Sequence, residues 1–336
     1  MELSPRLVFW EITERCNLKC PYCRREGYSR DFSLEESLFT VDSIAEKYKP
    51  ILVFSGGEPL LYPHLFEVAE YARKKGLNTA LATNSTLIDR NLAEKIKQIG
   101  FHRVAVSLDG ASQELNDVLR GGGAFSKTLA ALEYLRFQEV ELQINSTVFR
   151  RNYKDILSLY RLCLDLGVKA LHIFAFVPTG CGMSVPKEER LSAQEYEGFL
   201  NQMAGFSSES KIEIKLTCAP HYQRVLSVSQ RRLVKSRAKG CLAGTGVCFI
   251  SARGEIYPCG YLKLSAGNIL KKPFRDIWEE SVLFRSLRNE SYLKGKCGIC
   301  EFVGICGGCR ARAYSDTGDY LQEEPDCAYR PLNAKS

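Results

Sequence analysis

The residues most able to do chemistry in this chain of 336 are its 14 cysteines. Three lie near the amino-terminal end as Cys16-x-x-x-Cys20-x-x-Cys23. Eight lie in the carboxyl-terminal third: Cys241, Cys248, Cys259, Cys297, Cys300, Cys306, Cys309 and Cys327. Because a complete thiolate iron–sulfur cluster takes four ligands, eight cysteines suit two closed clusters. Three cysteines suit a cluster that leaves one iron open to another ligand.

Disulfides and zinc are the alternatives to iron–sulfur clusters. The first sixteen residues lack the basic and apolar segments of a secretory signal, so we expect a cytoplasmic protein. Reducing conditions there disfavour disulfides. Two zinc sites, in a zinc-binding interaction protein without enzymatic activity, stay open as an alternative, because the Cys297–Cys300 and Cys306–Cys309 spacings resemble zinc-ribbon hooks.

The overall composition excludes several classes of protein. Lys+Arg number 46 and Asp+Glu 39, which gives a net charge of +7, well short of a nucleic-acid tail or a polybasic membrane anchor. Hydrophobic residues make up 45% and charged residues 25%, which are ordinary values for a globular chain. No apolar stretch approaches the ~20 residues of a membrane span. We therefore expect neither a nucleic-acid nor a membrane partner.

Apolar runs that read as strands alternate with helix-period segments along the first half of the chain. The predicted strands are Leu7–Thr13, Ile51–Ser55, Asn78–Thr83, Val104–Leu108, Leu142–Val148 and Leu171–Phe176. The predicted helices are Ser33–Tyr48, His64–Lys75, Asp89–Ile99, Ala124–Phe137 and Tyr153–Leu166. This alternation predicts an α/β fold with a parallel sheet, a partial TIM-like (β/α)6 barrel. We predict a barrel domain over 1–210, a linker over 211–240 and a cysteine-rich domain over 241–331.

Polar or glycine-rich residues follow nearly every predicted strand. Cys16 follows the first strand and Ser55-Gly56-Gly57-Glu58-Pro59 the second, while Thr83-Asn84-Ser85 and Ser107-Leu108-Asp109-Gly110 end the third and fourth. Asn145 lies within the fifth. Each group alone could be a turn. Because chemistry in such barrels gathers at the carboxyl ends of the strands, their joint placement predicts a site there.

The cysteine triplet followed by Gly56-Gly57-Glu58-Pro59 resembles the radical S-adenosylmethionine (SAM) superfamily. The resemblance implies a [4Fe-4S] cluster held by Cys16, Cys20 and Cys23, whose open iron binds SAM. It further implies that an electron passed to SAM releases a 5′-deoxyadenosyl radical, which takes a hydrogen atom from the substrate. A ferredoxin or flavodoxin is the kind of electron donor implied.

The same resemblance implies roles for residues near SAM. Tyr22 corresponds to a side chain that packs near adenine. Gly56 and Gly57 would let the backbone approach the methionine moiety, and Glu58 would help to hold its ammonium group. The polar positions implied near the ribose or carboxylate are Asn84, Ser107 and Asp109, with Asn145 as a further candidate.

The carboxyl-terminal region resembles a SPASM-type auxiliary-cluster domain. The resemblance implies a first auxiliary [4Fe-4S] cluster on Cys241, Cys248, Cys259 and Cys309. It implies a second one on Cys297, Cys300, Cys306 and Cys327. Two residues separate Cys306 from Cys309, whereas the family usually has three, so the division of ligands between the clusters is the open part of this prediction.

Several longer segments resemble one subgroup, the SAM-dependent heme synthases of the siroheme-based pathway. These segments are Pro5–Glu11, Gln143–Val148, His172–Gly180, Thr217–Tyr222, Gly307–Tyr314 and Thr317–Tyr320. The implied reaction is oxidative decarboxylation of two propionates of Fe-coproporphyrin III to the vinyl groups of heme b. The alternatives are a didecarboxysiroheme deacetylase, a heme d1 maturase, or a SPASM maturase that modifies a peptide or cofactor.

A tetrapyrrole substrate would need protein groups for its iron, its ring and its carboxylates. His172, Cys218 and His221 are candidates to ligate iron or contact the substrate. Arg310 and Arg312 are candidates to pair with propionates, although surface or cluster-loop charges explain them equally well.

Overall fold

Ten strands and twelve α-helices make up the part of the chain that the computed structural model describes, residues 4–27, 30–229 and 240–332. The strands are β1 Leu7–Thr13, β2 Ile51–Gly56, β3 Asn78–Thr83, β4 Arg103–Ser107, β5 Leu142–Val148, β6 Ala170–Ala175, β7 Glu213–Thr217, β8 Val247–Ile250, β9 Glu255–Tyr257 and β10 Gly267–Asn268. The helices are α1 Leu34–Ala45, α2 Leu65–Lys74, α3 Arg90–Ile99, α4 Gln113–Arg120, α5 Ala124–Phe137, α6 Ile156–Asp165, α7 Ala193–Ser207, α8 His221–Ser229, α9 Phe274–Glu280, α10 Val282–Arg288, α11 Gly295–Gly298 and α12 Arg310–Thr317.

All ten strands belong to one sheet, in the order β10-β9-β8-β1-β2-β3-β4-β5-β6-β7. Strands β1 to β7 are parallel to their neighbours, as is β8 to β1, while β9 and β10 run antiparallel. The carboxyl ends of β1 to β7 therefore meet at one edge, where the predicted site residues gather.

The predicted α/β barrel is confirmed, with all six predicted strands present in parallel order. The structure adds β7, which pairs with β6, inside the segment predicted to be a linker. Residues 230–239 of that segment lie outside the described residues. The proposed domain boundaries themselves stay a prediction.

Strand β1 shows how the sheet divides core from site. Val8, Trp10 and Ile12 are fully buried in the main hydrophobic core with the helices. Because side chains alternate along a strand, Phe9 and Glu11 face the opposite side, the inside of the partial barrel.

Within the described ranges, no helix combines the length and apolarity that crossing a membrane requires.

Candidate active site

The two glycines after β2 allow a close backbone contact with the segment that enters the cysteine loop. Gly57 N–H donates to the Thr13 carbonyl at 2.7 Å, and Glu58 N–H donates to the Arg15 carbonyl at 2.7 Å. A Cβ atom on Gly57 would lie 2.2 Å from the Arg15 carbonyl oxygen, and one on Gly56 would lie 2.5 Å from the Thr13 oxygen. The chain's own backbone therefore requires glycine at both positions.

Glu58 is fully buried and connects β2 to β3. Its carboxylate accepts hydrogen bonds from Thr83 Oγ1 and from Asn84 N–H, both at 2.7 Å, and from Leu60 N–H at 3.2 Å. Burial raises the pKa of this carboxyl to about 7. Both carboxylate oxygens accept hydrogen bonds, and one of these positions Asn84, while the predicted contact with a ligand ammonium group stays a prediction. Pro59 begins a short 3-10 helix directly after Glu58.

Asn84 extends from the end of β3 to the cysteine loop. Its Nδ2 donates to Asn17 Oδ1 at 2.9 Å and lies 3.8 Å from Cys16 Sγ. Backbone N–H groups point at two of the sulfurs: Leu18 N–H at Cys16 Sγ and Arg25 N–H at Cys23 Sγ. Hydrogen bonds to sulfur are a feature of protein sites that hold iron–sulfur clusters.

Cys20 completes the triplet, and its Sγ contacts the Arg120 carbonyl at 3.8 Å. Burial raises the pKa of Cys20 to about 11 and also raises that of Cys16. A bare thiolate is therefore disfavoured in this loop, and a cationic metal centre would supply the missing positive charge. The donor set of three thiols fits the predicted cluster in this respect.

Asp109 follows β4 and pairs with a buried arginine. Its Oδ2 lies 2.8 Å from Arg120 Nε and accepts a hydrogen bond from the Tyr22 hydroxyl, while its Oδ1 accepts from Thr147 N–H at 2.7 Å. Asp109 is 1% exposed. The structure therefore connects the predicted residues Tyr22 and Asp109 directly, and it adds Arg120, which was not predicted from the sequence, as the ion-pair partner of Asp109.

A row of aromatic rings extends from the cysteine loop into the barrel. The ring centroids of Tyr22 and Phe149 are 5.0 Å apart, and those of Phe149 and Phe176 are 4.9 Å apart. The loop after β6 packs over the row, where Gly182 N–H donates to the Cys23 carbonyl at 3.1 Å. Phe176 in turn forms part of the wall of an open cleft.

This cleft, of ≈ 340 Å³, lies at the carboxyl ends of β5 and β6 beneath α12. Its walls combine apolar and charged side chains: Val148, Ala175, Phe176, Pro178, Met183, Leu191, Tyr196, Lys187, Arg190, Arg312, Ser315, Asp316, Pro325 and Asp326. Arg190 lies with its guanidinium 5.8 Å from the Phe176 ring centroid. The cleft therefore combines an apolar, partly aromatic wall with three cationic and two acidic side chains.

Ser107, Asn145 and His172 lie side by side on adjacent strands β4, β5 and β6. Gln143 Nε2 contacts both Asn145 Oδ1, at 2.6 Å, and His172 Nδ1, at 2.9 Å. His172 Nε2 lies 3.3 Å from Glu213 Oε1. Burial lowers the pKa of His172 to about 4. His172 is thus a neutral side chain held within the barrel, and it is not among the residues that line the cleft.

The neutral state of His172 should appear as a pH dependence of folding. Because burial lowers its pKa from 6.5 to about 4, its contribution to stability is complete above pH 6.5 and declines as the pH falls towards 4. The difference in unfolding free energy between wild type and His172→Gln should shrink by about 2 kcal/mol from pH 7 to pH 5. Urea unfolding at both pH values measures it, with the exposed His102→Gln as matched control. A constant difference would contradict a buried neutral His172.

Four of the carboxyl-terminal cysteines surround one small cavity. These are the four predicted for the second auxiliary cluster: Cys297, Cys300, Cys306 and Cys327. Glu324 N–H donates to Cys297 Sγ at 3.3 Å, and burial raises the pKa of Cys306 to about 12. The structure therefore brings this predicted set together.

His221 lines the same small cavity rather than the open cleft. It is 1% exposed, and neither ring nitrogen has a hydrogen-bond partner within the described residues. Burial lowers the pKa of His221 to about 4. Its predicted contact with substrate is therefore not supported by its location.

The four cysteines predicted for the first auxiliary cluster are brought together only in part. Cys259 and Cys309 belong to one small apolar cluster, and Cys241 is close enough to raise the pKa of both thiols. Cys248 instead is fully buried on β8 in the main core, opposite Val8 in the strand register. Cys218, predicted as a substrate contact, packs against the cluster that contains Cys259 and Cys309.

The two predicted propionate-binding arginines are both buried, and they differ in what they contact. Arg310 donates to the carbonyls of Tyr320 and Gln322 at 2.9 Å and 2.6 Å. Arg312 Nε lies 2.8 Å from Glu324 Oε1, and Arg312 also borders the cleft. Arg310 is thus a cluster-loop charge, as the alternative interpretation held.

Three residues of the site were not predicted from the sequence: Arg120, Arg190 and Glu324. Arg120 ends the short helix α4, which was not predicted, and the Gly121-Gly122-Gly123 run after it was the available signal. Glu324 has the clearest signal, since it lies three residues before Cys327. Its carboxylate accepts from Cys309 N–H and pairs with Arg312, so it connects the two groups of cysteines.

Comparisons with known proteins agree with both parts of this arrangement. The family model of the radical SAM superfamily matches residues 10–163, and that of the SPASM iron–sulfur cluster-binding domain matches residues 241–301. The AdoMet-dependent heme synthase of Methanosarcina barkeri is 46% identical, over 98% of this chain and 98% of its own length. This chain belongs to the radical SAM heme synthase family.

Two further comparisons extend this result. An AdoMet-dependent heme synthase of Nitratidesulfovibrio vulgaris is 40% identical over 97% of this chain and 93% of its own. The solved structure of native anSMEcpe with bound AdoMet shares the fold, with a TM-score of 0.74 and 22% identity over 96% of this chain and 93% of that one. A radical SAM heme synthase is an enzyme that uses a [4Fe-4S] cluster and SAM, and its SPASM domain carries auxiliary iron–sulfur clusters. Auxiliary iron–sulfur clusters in an enzyme therefore replace the alternative of two zinc sites in a protein without enzymatic activity.

Proposed function

We propose that this enzyme oxidatively decarboxylates two propionate side chains of Fe-coproporphyrin III to the vinyl groups of heme b. The observation that carries the proposal is the cleft at the ends of β5 and β6, which joins the aromatic row beside the cysteine loop to three cationic side chains. A flat macrocycle with carboxylates at its rim needs aromatic side chains to cover the ring and cationic side chains to pair with the carboxylates. The name of two relatives, AdoMet-dependent heme synthase, supports the same product.

Each new vinyl group requires three losses from one propionate: a hydrogen atom from the β-carbon, CO2, and one electron. When bound, SAM and its cluster supply the radical that accepts the hydrogen atom. The aromatic row of Tyr22, Phe149 and Phe176 would exclude water from the reacting carbon. Electron transfer to SAM requires a reduced donor, for which we propose a ferredoxin or flavodoxin, and the leftover electron requires an acceptor.

Among the three cations, Arg190 is best placed to hold a propionate. Arg312 is already paired with Glu324. Among the hydrogen bonds of the described residues, the Arg190 guanidinium donates only to the Val185 carbonyl, at 2.7 Å from Nη2 and 3.2 Å from Nε. Its Nη1 remains for a substrate carboxylate, so Arg190 would fix the distance between the propionate and the cysteine loop.

An anaerobic assay with SAM, a reductant and Fe-coproporphyrin III tests the proposal by mass spectrometry. We expect two successive losses of about 46 mass units, each equal to CO2 plus two hydrogens. Didecarboxysiroheme and a leader-bearing peptide serve as substrates in parallel arms. Production of 5′-deoxyadenosine without conversion of the porphyrin would exclude the heme reaction and leave the radical SAM activity intact.

Substitution of Arg190 tests the role of the cleft. Arg190→Gln should lower kcat/KM for the porphyrin by about 10- to 100-fold, because a hydrogen bond to a charged group contributes roughly 1.5–3 kcal/mol. SAM cleavage without substrate should not change. Arg161→Gln, an exposed position on α6 away from the cleft, is the matched control. Equal kinetics for the two variants would remove Arg190 from substrate binding.

A further inference from the structure

Cys218 is held in an unusual backbone conformation directly after β7. Its φ of 56° lies in the left-handed region, which a residue with a Cβ adopts at a cost of about 1–3 kcal/mol. Such a conformation persists only where surrounding contacts fix it. One of these is visible, since Arg312 Nη2 donates to the Cys218 carbonyl at 2.8 Å. The chain therefore directs this thiol to a defined place.

That place is beside three other thiols. Cys218 packs against the small apolar cluster in which Cys309 is buried and to which Cys259 also belongs. Cys241 is brought to the same region by its neighbour Gly240, because a Cβ atom there would lie 2.8 Å from Pro220 Cα, two residues after Cys218. Four cysteines from distant parts of the chain thus meet in one place, and four cysteine ligands are what one [4Fe-4S] cluster requires.

Cys248 lies on the other side of β8. Strand alternation points it into the main core with Ile250, whereas Phe249 between them faces the inside of the barrel beneath Arg24, 4.3 Å from the ring centroid. The register of β8 with β1 fixes this orientation over four consecutive pairs. Turning the Cys248 thiol towards Cys259 would require a one-residue slip of β8 against β1. Such a slip would turn all the buried side chains of β8 out of the core.

We propose that Cys218, not Cys248, is the fourth thiolate of the first auxiliary cluster, together with Cys241, Cys259 and Cys309. The assignment concerns the cofactor and does not depend on the identity of the substrate. It places one ligand on the barrel, because Cys218 follows β7, and three on the SPASM domain. Arg312 then joins the two regions, since it donates both to the Cys218 carbonyl and, at 3.2 Å, to the Phe176 carbonyl in the cleft wall.

The test compares Cys218→Ala with Cys248→Ala in the full chain after anaerobic reconstitution with iron and sulfide. Cys218→Ala should either lose about one third of the bound iron or keep it with a changed EPR spectrum of the reduced protein, since one of three clusters loses a ligand. Cys248→Ala should match the wild type in iron content and in spectrum. Cys163→Ala, another buried core thiol, is the control for a cavity alone.

Far-UV circular dichroism and SAM binding by equilibrium dialysis establish that each variant is folded. A folded Cys218→Ala protein with the iron content and spectrum of the wild type would overturn the assignment. So would a folded Cys248→Ala protein that loses the iron or the signal of one cluster. Conversion of the porphyrin is not a readout of this experiment, so its result stands apart from the proposed reaction.

Discussion

Replacement of Gly57 by alanine should reduce SAM cleavage by about 100-fold or more. The new Cβ would lie 2.2 Å from the Arg15 carbonyl oxygen and 2.7 Å from that of Glu14, and both are backbone atoms that cannot rotate away. The segment that leads to Cys16 must therefore shift. A displacement of about 1 Å at a reaction centre can cost 100-fold in rate. Release of 5′-deoxyadenosine by the reconstituted protein measures the effect.

Gly198→Ala is the matched control for this substitution. Gly198 is an exposed residue of α7 with no atom within 4 Å of its added Cβ. Alanine there should leave SAM cleavage unchanged and raise stability by up to about 1 kcal/mol, because glycine is unfavourable inside a helix. If Gly57→Ala retained wild-type cleavage, the contact between the Gly56-Gly57 loop and the entry to the cysteine loop would not matter for function.

The second large effect is on stability. Asp109→Ala should lower the free energy of unfolding by about 3–5 kcal/mol, because it leaves the buried Arg120 guanidinium without its counter-charge. It also removes the acceptor of the Tyr22 hydroxyl and of Thr147 N–H. Denaturant titration under anaerobic conditions measures the loss, and the double variant with Arg120→Met should recover part of it.

An exposed ion pair, Arg151 with Glu189, provides the comparison for the buried Asp109–Arg120 pair. Glu189→Ala removes the partner of Arg151 at the surface, where both side chains are about one third or more exposed, and it should cost less than about 1 kcal/mol. A similar cost for Asp109→Ala would show that the Asp109–Arg120 pair is solvated rather than buried.

The regular part of the fold could be predicted from the sequence. Strands β3 and β5 and helix α5 have the predicted bounds, because each is an apolar or amphipathic run between clear turn signals. Strand β7 was missed because Glu213–Thr217 contains two charged residues in five positions. Its charges face the barrel interior, where Arg103 and His172 pair with Glu213.

The site could be predicted as a set of residues but not as a set of contacts. Spacing identified the cysteine triplet, and the resemblance to a SPASM-type domain implied the set of four cysteines around the small cavity. The resemblance implied that Cys248 joins Cys241, Cys259 and Cys309, but neither resemblance nor spacing shows which face of a strand a cysteine occupies, and Cys248 lies in the main core. The sequence singled out Cys218 only as a possible substrate contact, because the cysteines that we propose as its partners are distant in the chain and are brought together only by the fold. The sequence likewise could not show that His221 is buried beside the small cavity, so its predicted contact with substrate or iron stays a prediction.

The sheet order has a consequence for how separable the two regions of the chain are. Strand β8 pairs with the edge of β1 that β2 does not use, and Arg6 N–H donates to the Gly246 carbonyl at 2.8 Å. A fragment that ended before β8 would leave one edge of β1 bare, and bare edges invite pairing between copies and aggregation. The cysteine-rich region is therefore no detachable module: any relative that shed it would need another strand, loop or helix to shield that edge.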